Sequence, residues 1–381
     1  MRIILCFSIL LSLSISLQAQ KLKVKSFTPS PMDISASQYE RKNSRGEVCA
    51  LIKLLMVGEI DGVEGSTVGR VENRGTEKWI YMDPGARMLG IIPAGSQNFS
   101  VRFDDYGVEH LESKNTYVLT IVADNRIAKT YSVGNVTFDM VKVEGGKFLM
   151  GVPKELEMNN PSVGFSSPQH RVTLSSYWIG ETEVTQGLWK AVMGNTPIEW
   201  KGDDYPMEGA TWDECQEFLK RLNAISGNQF RMPTEAEWEF AARGGNESMG
   251  YKCSGSNDLT AVAWYSGDGN GNEVHPVKGK KPNELWLYDM NGNVAERCSD
   301  WWGYYEAFPQ TNPQEAGRAK DKKDSRVLRG GGFTYFIMTD QSDCYVYSRT
   351  WVQKKHEKAK ERNWLTGVGM RLVLSDNNVK Q

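Results

Sequence analysis

The chain has 381 residues, with 45 Lys and Arg against 47 Asp and Glu and a formal net charge of -2. That balance excludes the basic field a nucleic-acid-binding surface requires, and the length exceeds one ordinary core, so two or three domains are expected. The 37 Gly, 12 Trp and 15 Tyr point to irregular backbone held by large aromatic side chains rather than to long helices.

In chain order, Met1-Arg2 leads into an apolar run from Ile3 to Leu17 that ends at Gln18-Ala19-Gln20. One positive charge, an apolar stretch and a small residue before the break fit a signal peptide over 1–19. No Cys stands at the cleavage point, so an exported chain without a lipid anchor is expected, in the periplasm, on the outer surface or outside the cell. After cleavage no apolar run approaches the roughly 20 residues that span a bilayer.

Residues 20–134 read as an all-β, sandwich-like module. Glu47–Val57, Trp79–Tyr81, Arg87–Ile92 and Tyr117–Val122 are apolar runs, and Asn98–Phe103 alternates with period two. Gly58, Gly62, Gly75 and Asp104-Asp105 supply the turns. Trp79 and Tyr81 could face a ligand or the core. Gly134 to Thr137 is the expected joint to a second domain.

Beyond it, Val141–Met150 reads as strand, Gly-Gly turn, strand. Thr185, Thr211 and Thr234 are N-cap candidates for three short amphipathic helices; Cys215, Phe218, Leu219 and Leu222 form the stripe of the second. After Gly244 the helical pattern stops, and Gly, Asn, Asp and aromatics alternate through 245–345. Loops this long need an internal reason to stay ordered: bound cations, aromatic clusters or disulfides. The polar segment 309–325 reads as an exposed insertion, and Arg349–Arg362, with Lys354, Lys355, Lys358 and Lys360, as a solvated helix face or a positive patch.

Export permits disulfides, but Cys49, Cys215, Cys253, Cys298 and Cys344 are an odd set, so their pairing stays open. None forms a CxxC pair. His110, His170, His275 and His356 are scattered, which disfavours zinc.

Several separated segments carry a family likeness. Met140–Gly151, Glu183-Val184-Thr185, Arg231–Gly244, Val262–Tyr265, His275–Val277, Leu287–Val294, Arg326–Gly331 and Gly369–Arg371 together resemble the formylglycine-generating enzyme, or sulfatase-modifying factor, family. The likeness covers 137–374. It implies an irregular α+β, C-type-lectin-related fold, and the N-terminal module resembles segments ahead of this domain in secreted Bacteroidetes proteins.

The resemblance also implies a chemistry that this chain only partly carries. Family enzymes oxidise a substrate cysteine with oxygen, using two active-site cysteines and, in aerobic members, copper. The family's Ser position falls on Gly332 and its first Cys position on Tyr335. The second falls on Asp340, or on Cys344 with an insertion. At most one thiol is therefore expected there, with Cys298 as the candidate for a second; copper is not expected, and a pseudoenzyme is. The family's calcium turn maps onto Asp289 and Glu296 through side chains and Gly292 and Val294 through carbonyls. A second cation site could fall within Asp258–Gly271.

The leading expectation is a non-catalytic binding or assembly protein with a groove at Tyr335, Phe336, Tyr345, Tyr347 and Trp351, taking a glycan, peptidoglycan or another exported protein. Two alternatives stand: a metal-dependent oxidase with an altered site, including an iron centre at His170 and His275, and a structural subunit of a surface or secretion complex.

Overall fold

A computed structural model describes residues 22–56, 58–94, 98–123, 126–157, 165–199, 201–267, 269, 273–314, 324–334, 341–356 and 365–376. The expected signal peptide lies outside the described residues. The chain divides into two compact units, Met1–Asn125 and Arg126–Gln381.

The first unit contains β1 (Leu22–Pro29), β2 (Ala50–Met56), β3 (Ile60–Glu64), β4 (Glu72–Arg74), β5 (Glu77–Met82), β6 (Met88–Pro93), β7 (Phe99–Arg102) and β8 (Thr116–Ala123). They form a five-stranded sheet, β1-β8-β2-β5-β4, and a three-stranded one, β3-β6-β7. One apolar cluster draws Phe27, Ile52, Leu54, Ile80 and Leu119 from the first sheet and Leu89, Ile91 and Val101 from the second. In β7, Val101 is buried while Ser100 and Arg102 are exposed, as the period-two pattern requires. Trp79 and Tyr81 are both buried, in a smaller cluster with Ala36, Cys49 and Leu51. Lys53 and Arg74 cover the Trp79 ring, so neither aromatic offers an open face.

The second unit begins earlier than the Gly134 joint expected from sequence. β9 (Ala128–Val133) pairs antiparallel with β10 (Val136–Val143), so the turn at Gly134 is a hairpin inside this unit. Extended pairing across Gly134, whose φ is +58°, explains why a Gly there reads as a boundary without being one. The remaining strands are β11 (Gly146–Met150), β12 (His170–Leu174), β13 (Tyr177–Gly180), β14 (Ala263–Trp264), β15 (Asn291–Gly292), β16 (Ala295–Trp301), β17 (Gln310–Thr311), β18 (Ser325–Arg329), β19 (Arg349–Gln353), β20 (Val368–Met370) and β21 (Val373–Ser375). Two four-stranded sheets organise the unit: β21-β13-β10-β9 and β19-β18-β16-β20.

Three helices flank them, Gln186–Met193, Trp212–Ser226 and Glu235–Ala242. Their caps follow from local chemistry. Thr185, Thr211 and Thr234 each accept from the third backbone N–H, and Glu214 and Glu237 complete capping boxes. The second helix buries Cys215, Phe218, Leu219 and Leu222, the stripe read from sequence. The third is buried on every side, Glu235, Glu237 and Glu239 included. A buried helix with three carboxylates needs cationic partners, which Arg231, Arg329 and Arg349 supply.

Two segments depart from the sequence reading. Within the stretch expected to be an exposed insertion, Pro309, Thr311 and Asn312 are exposed, yet Gln310–Thr311 forms β17 and pairs parallel with β12; residues 315–323 lie outside the described residues. Arg349–Gln353 is a strand rather than a helix face, paired with β18 along its length, and Arg349 is buried. Among the described residues no helix is long and apolar enough to cross a membrane.

Candidate functional site

The turn from Asp289 to Glu296 is built by three consecutive demands on the backbone. Asp289, Gly292 and Asn293 all have positive φ, at +55°, +74° and +53°. Gly292 pairs with Trp264 across β14 and β15, and a side chain there would press into the Trp264 carbonyl. Asn293 N–H donates to that same carbonyl at 2.6 Å. The Asn-Gly-Asn run thus serves close backbone approach first.

Three carboxylates meet behind the turn. Glu296 is fully buried, and both its oxygens accept from Arg371: Nη2 to Oε1 at 2.6 Å, Nε to Oε1 at 3.0 Å and Nε to Oε2 at 2.9 Å. Trp238 Nε1 donates to Oε2 at 2.7 Å. Arg371 also donates to the carbonyls of Gly180 at 2.9 Å and Tyr288 at 2.7 Å. Glu183 accepts from Val294 N–H and from Asn293 Nδ2, both at 3.1 Å. Asp289 Oδ2 accepts from Lys278 N–H at 2.8 Å, while Oδ1 is buried with no hydrogen-bond partner.

One guanidinium facing three buried carboxylates leaves surplus negative charge. Burial, reinforced by the charge of Glu296 and opposed by Lys278 N–H and Arg371, pushes Asp289 up to about 6. Burial, then the charges of Asp289 and Glu296, pushes Glu183 well above the usual carboxylate range. Of the two carboxylates expected from sequence as calcium donors, one is already engaged within the chain. Glu296 is engaged by Arg371 and Trp238, and the oxygen left over belongs to Asp289. Glu183 and Arg371 were missed as site members, since they lie far from the turn in sequence; an acidic excess in the turn was the available signal.

A second charged lattice holds the glycine run in place. Arg329, at the end of β18, donates to Glu239 at 2.5 Å, to Glu235 at 3.2 Å and to the carbonyls of Val346 and Tyr347. Arg349 donates to the other oxygen of Glu235 at 2.6 Å and to Gly303 O at 2.8 Å. Burial alone would raise Glu239, but Arg243 and Arg329 hold it below the ordinary carboxylate range. The arginine before the glycines is thus a structural pillar.

The run itself packs against a thiol. Cys344 is fully buried, and a Cβ on Gly331 would stand 2.7 Å from its sulfur. Gly332 packs near Ala295 N and Asn293 O. Cys253 joins Cys344 in one closed apolar cluster with Leu259, Val262, Ala263 and Tyr265. Burial pushes Cys253 up to about 12 and Cys344 well above the ordinary thiol range. The expected second thiol, Cys298, sits instead in the main core beside Trp238 and Trp302. Sequence reasoning chose Cys298 for its nearness along the chain and overlooked Cys253, which only the fold brings across.

Of the expected aromatic groove, Tyr345, Tyr347 and Trp351 fall within the described residues. Tyr347 belongs to the main core, with Tyr345 and Trp351 packed against it. Lys252 covers the Tyr345 ring at 5.1 Å, and Trp351 stacks edgewise on Phe165 and Trp302. Tyr345 and Tyr347 meet edge to face at 5.7 Å, and what these aromatics share is packing into the core. Tyr335, Phe336 and Asp340 lie outside the described residues.

The open concavities are elsewhere. A cleft of about 470 Å³ is lined by Ser175, Tyr177, Arg231, Glu237, Asn312 and Asp376, among others. A neighbouring cavity of about 200 Å³ holds His170, Glu235, Asp300, Tyr305 and Glu306, and both are bordered by Pro313 and Gln314. His170 stacks on Tyr305, with Nδ1 3.0 Å from Pro168 O. His275 stacks on Trp264 at 3.9 Å. Among the described residues no three His, Cys, Asp or Glu side chains are arranged as a metal-binding set. In the expected second cation site, Asp258 caps a short helix at Thr260 N–H, and Asp268, Asn270 and Asn272 lie outside the described residues.

Comparison with known proteins defines the class. Residues 130–375 match the model of the sulfatase-modifying factor enzyme 1-like domain, and the chain belongs to that family. It is 32% identical to "Chaperone protein LppX" of Paenibacillus barcinonensis over 272 residues, 58% of this chain and 88% of that protein. It is 26% identical to the formylglycine-generating enzyme of Mus musculus over 268 residues, 55% of this chain and 68% of that protein. Among solved structures, the Treponema denticola variable protein 1 superposes with a TM-score of 0.54 and 31% identity, over 65% of this chain and 99% of its own.

Proposed function

We propose that this protein is an exported binding or assembly protein that keeps the sulfatase-modifying factor scaffold without the family's oxidase chemistry. In this reading the N-terminal unit is a β-sandwich-like spacer or binding module. The observation that carries it is the state of the thiols at the glycine run. Cys344 and Cys253 are buried together in one apolar cluster, where loss of solvent disfavours a thiolate at either. Copper(I) is gripped by thiolates, and a peptide substrate must reach the metal. A closed thiol pair serves neither need.

The 470 Å³ cleft supports the binding half of the reading. Its hydroxyls, amides and the Arg231–Glu237 pair are groups that hydrogen-bond sugar hydroxyls or peptide backbone. A glycan, peptidoglycan or another exported protein is the proposed partner. The likeness to a relative named as a chaperone supports an assembly role. Copper titration with oxygen uptake on a cysteine-containing peptide tests the proposal: no turnover is expected, and sustained copper-dependent oxygen consumption would establish the oxidase alternative.

We also infer a structural Ca²⁺ at the carboxylate turn. The free Asp289 Oδ1 and the surplus buried negative charge support it. Asp289 would hold the ion together with the carbonyls of Gly292 and Val294, the oxygens of Glu296 being shared with Arg371. A rise in Tm on adding Ca²⁺ to chelator-treated protein, absent in Asp289→Asn, is the expected result. An unchanged Tm at millimolar Ca²⁺ removes the ion from the reading and leaves the rest intact.

A further inference from the structure

The five described thiols are all buried, and they are distributed unevenly. Cys49, Cys215 and Cys298 each sit in a separate apolar cluster. Cys253 and Cys344 share one. The segments that carry them run side by side and are tied on both sides of the pair. Val346 N–H donates to Lys252 O at 3.0 Å. Asn291 bridges the other side, accepting from Ser254 N–H at 2.6 Å through Oδ1 and donating to Cys344 O through Nδ2. The two thiols are near enough that charge on Cys253 opposes ionisation of Cys344.

We propose that Cys253 and Cys344 form a disulfide when the chain folds under oxidising conditions, cross-linking the turn after the third helix to the segment behind the glycine run. The oxidant is an external disulfide, either a small-molecule one or that of a thiol–disulfide oxidoreductase. One cysteine thiolate attacks a sulfur of that disulfide and expels one external thiolate, giving a mixed disulfide. The second cysteine then attacks the protein-bound sulfur and expels the other. Two cysteine thiols are oxidised, one external disulfide is reduced to two thiols, and the two cysteine protons pass through solvent to the expelled thiolates.

The link answers the question raised by the long irregular segment between the two cysteines. Outside β14 to β18 and the short helical turns, the described part of that stretch is turn and loop, and a cross-link closing it restricts the unfolded chain most where the loop is long. Because both sulfurs are buried once the domain has formed, exchange requires local opening, so the bond is set during folding and persists. This inference stands apart from the copper test above, which reads turnover and not linkage.

The experiment is peptide mapping without reduction. The full chain is refolded in a glutathione redox buffer, denatured, alkylated, digested and analysed by mass spectrometry. A peptide pair joined through Cys253 and Cys344 is expected, both cysteines escaping alkylation, and reduction should lower Tm by roughly 5–10 °C. Cys253→Ala and Cys344→Ala should each abolish the link and the redox dependence of Tm. The mapping of the unsubstituted chain decides the matter even if a variant fails to fold. Free, alkylated Cys253 and Cys344 after full oxidation, or a link from either to Cys49, Cys215 or Cys298, would overturn the proposal.

Discussion

Replacing Arg371 by Met is the sharpest test of how this domain is held together. The guanidinium makes three contacts to Glu296 at 2.6 to 3.0 Å and satisfies the carbonyls of Gly180 and Tyr288. Met has a comparable stem and no charge, so packing is largely kept while the donors are lost. Glu296 is then a fully buried carboxylate that still accepts from Trp238 Nε1, close to Glu183 and Asp289. Removing one partner of a buried pair costs about 3–5 kcal/mol, and each orphaned carbonyl adds roughly 1 kcal/mol. A loss of about 5–7 kcal/mol is a large share of a domain's usual 5–15 kcal/mol. Urea unfolding followed by near-ultraviolet circular dichroism reads the difference. The reasoning carries a second arm: Glu296→Gln in the Arg371→Met background removes the stranded charge yet keeps an acceptor for Trp238, and should recover about 2 kcal/mol. A single variant that costs under about 1 kcal/mol, or a double variant no better than the single, would refute it.

Three further outcomes follow from the same geometry. Asp289 has its folded value raised to about 6 from 3.8, so the folded state holds the proton more tightly than the unfolded chain; its contribution is present below the unfolded value and is lost as pH rises through about 6. In chelator, the stability gap between wild type and Asp289→Asn should therefore widen from pH 4 to pH 7 by up to roughly 3 kcal/mol, and a gap independent of pH counts against the assignment. Gly292→Ala should cost several kcal/mol, because φ is positive and the Trp264 carbonyl occupies the Cβ position; Gly134→Ala, with positive φ but open space, should cost about 1 kcal/mol, and equal Tm losses would contradict the packing account. Thr234→Ala should lose about 1–2 kcal/mol through its capping box, while Thr234→Ser keeps most of it; thermal melts showing no difference between the two would count against the cap.

Local features were legible in the chain before any fold was known. Thr185, Thr211 and Thr234 announce helices because a cap bonds within three residues of itself. The Cys215–Leu222 stripe and the alternation around Val101 follow from helical and strand periods, which are properties of a few neighbouring residues. The Gly134 hairpin was harder. A Gly turn between strands looks the same whether the strands belong to one domain or two, and only their pairing tells them apart. Tyr347 shows the same limit, since its burial depends on which face of the segment meets the core.

What the sequence by itself determined, then, was the two-part division in outline, the capped helices and the family of the second domain. Only the tertiary structure decided which charges and sulfurs meet. It set Arg371 against Glu296, Glu183 beside Asn293 and Val294, and Cys253 beside Cys344. Those partners are separated by long stretches of chain, and nothing in local propensity encodes a contact whose energy comes from burying two distant groups in the same place.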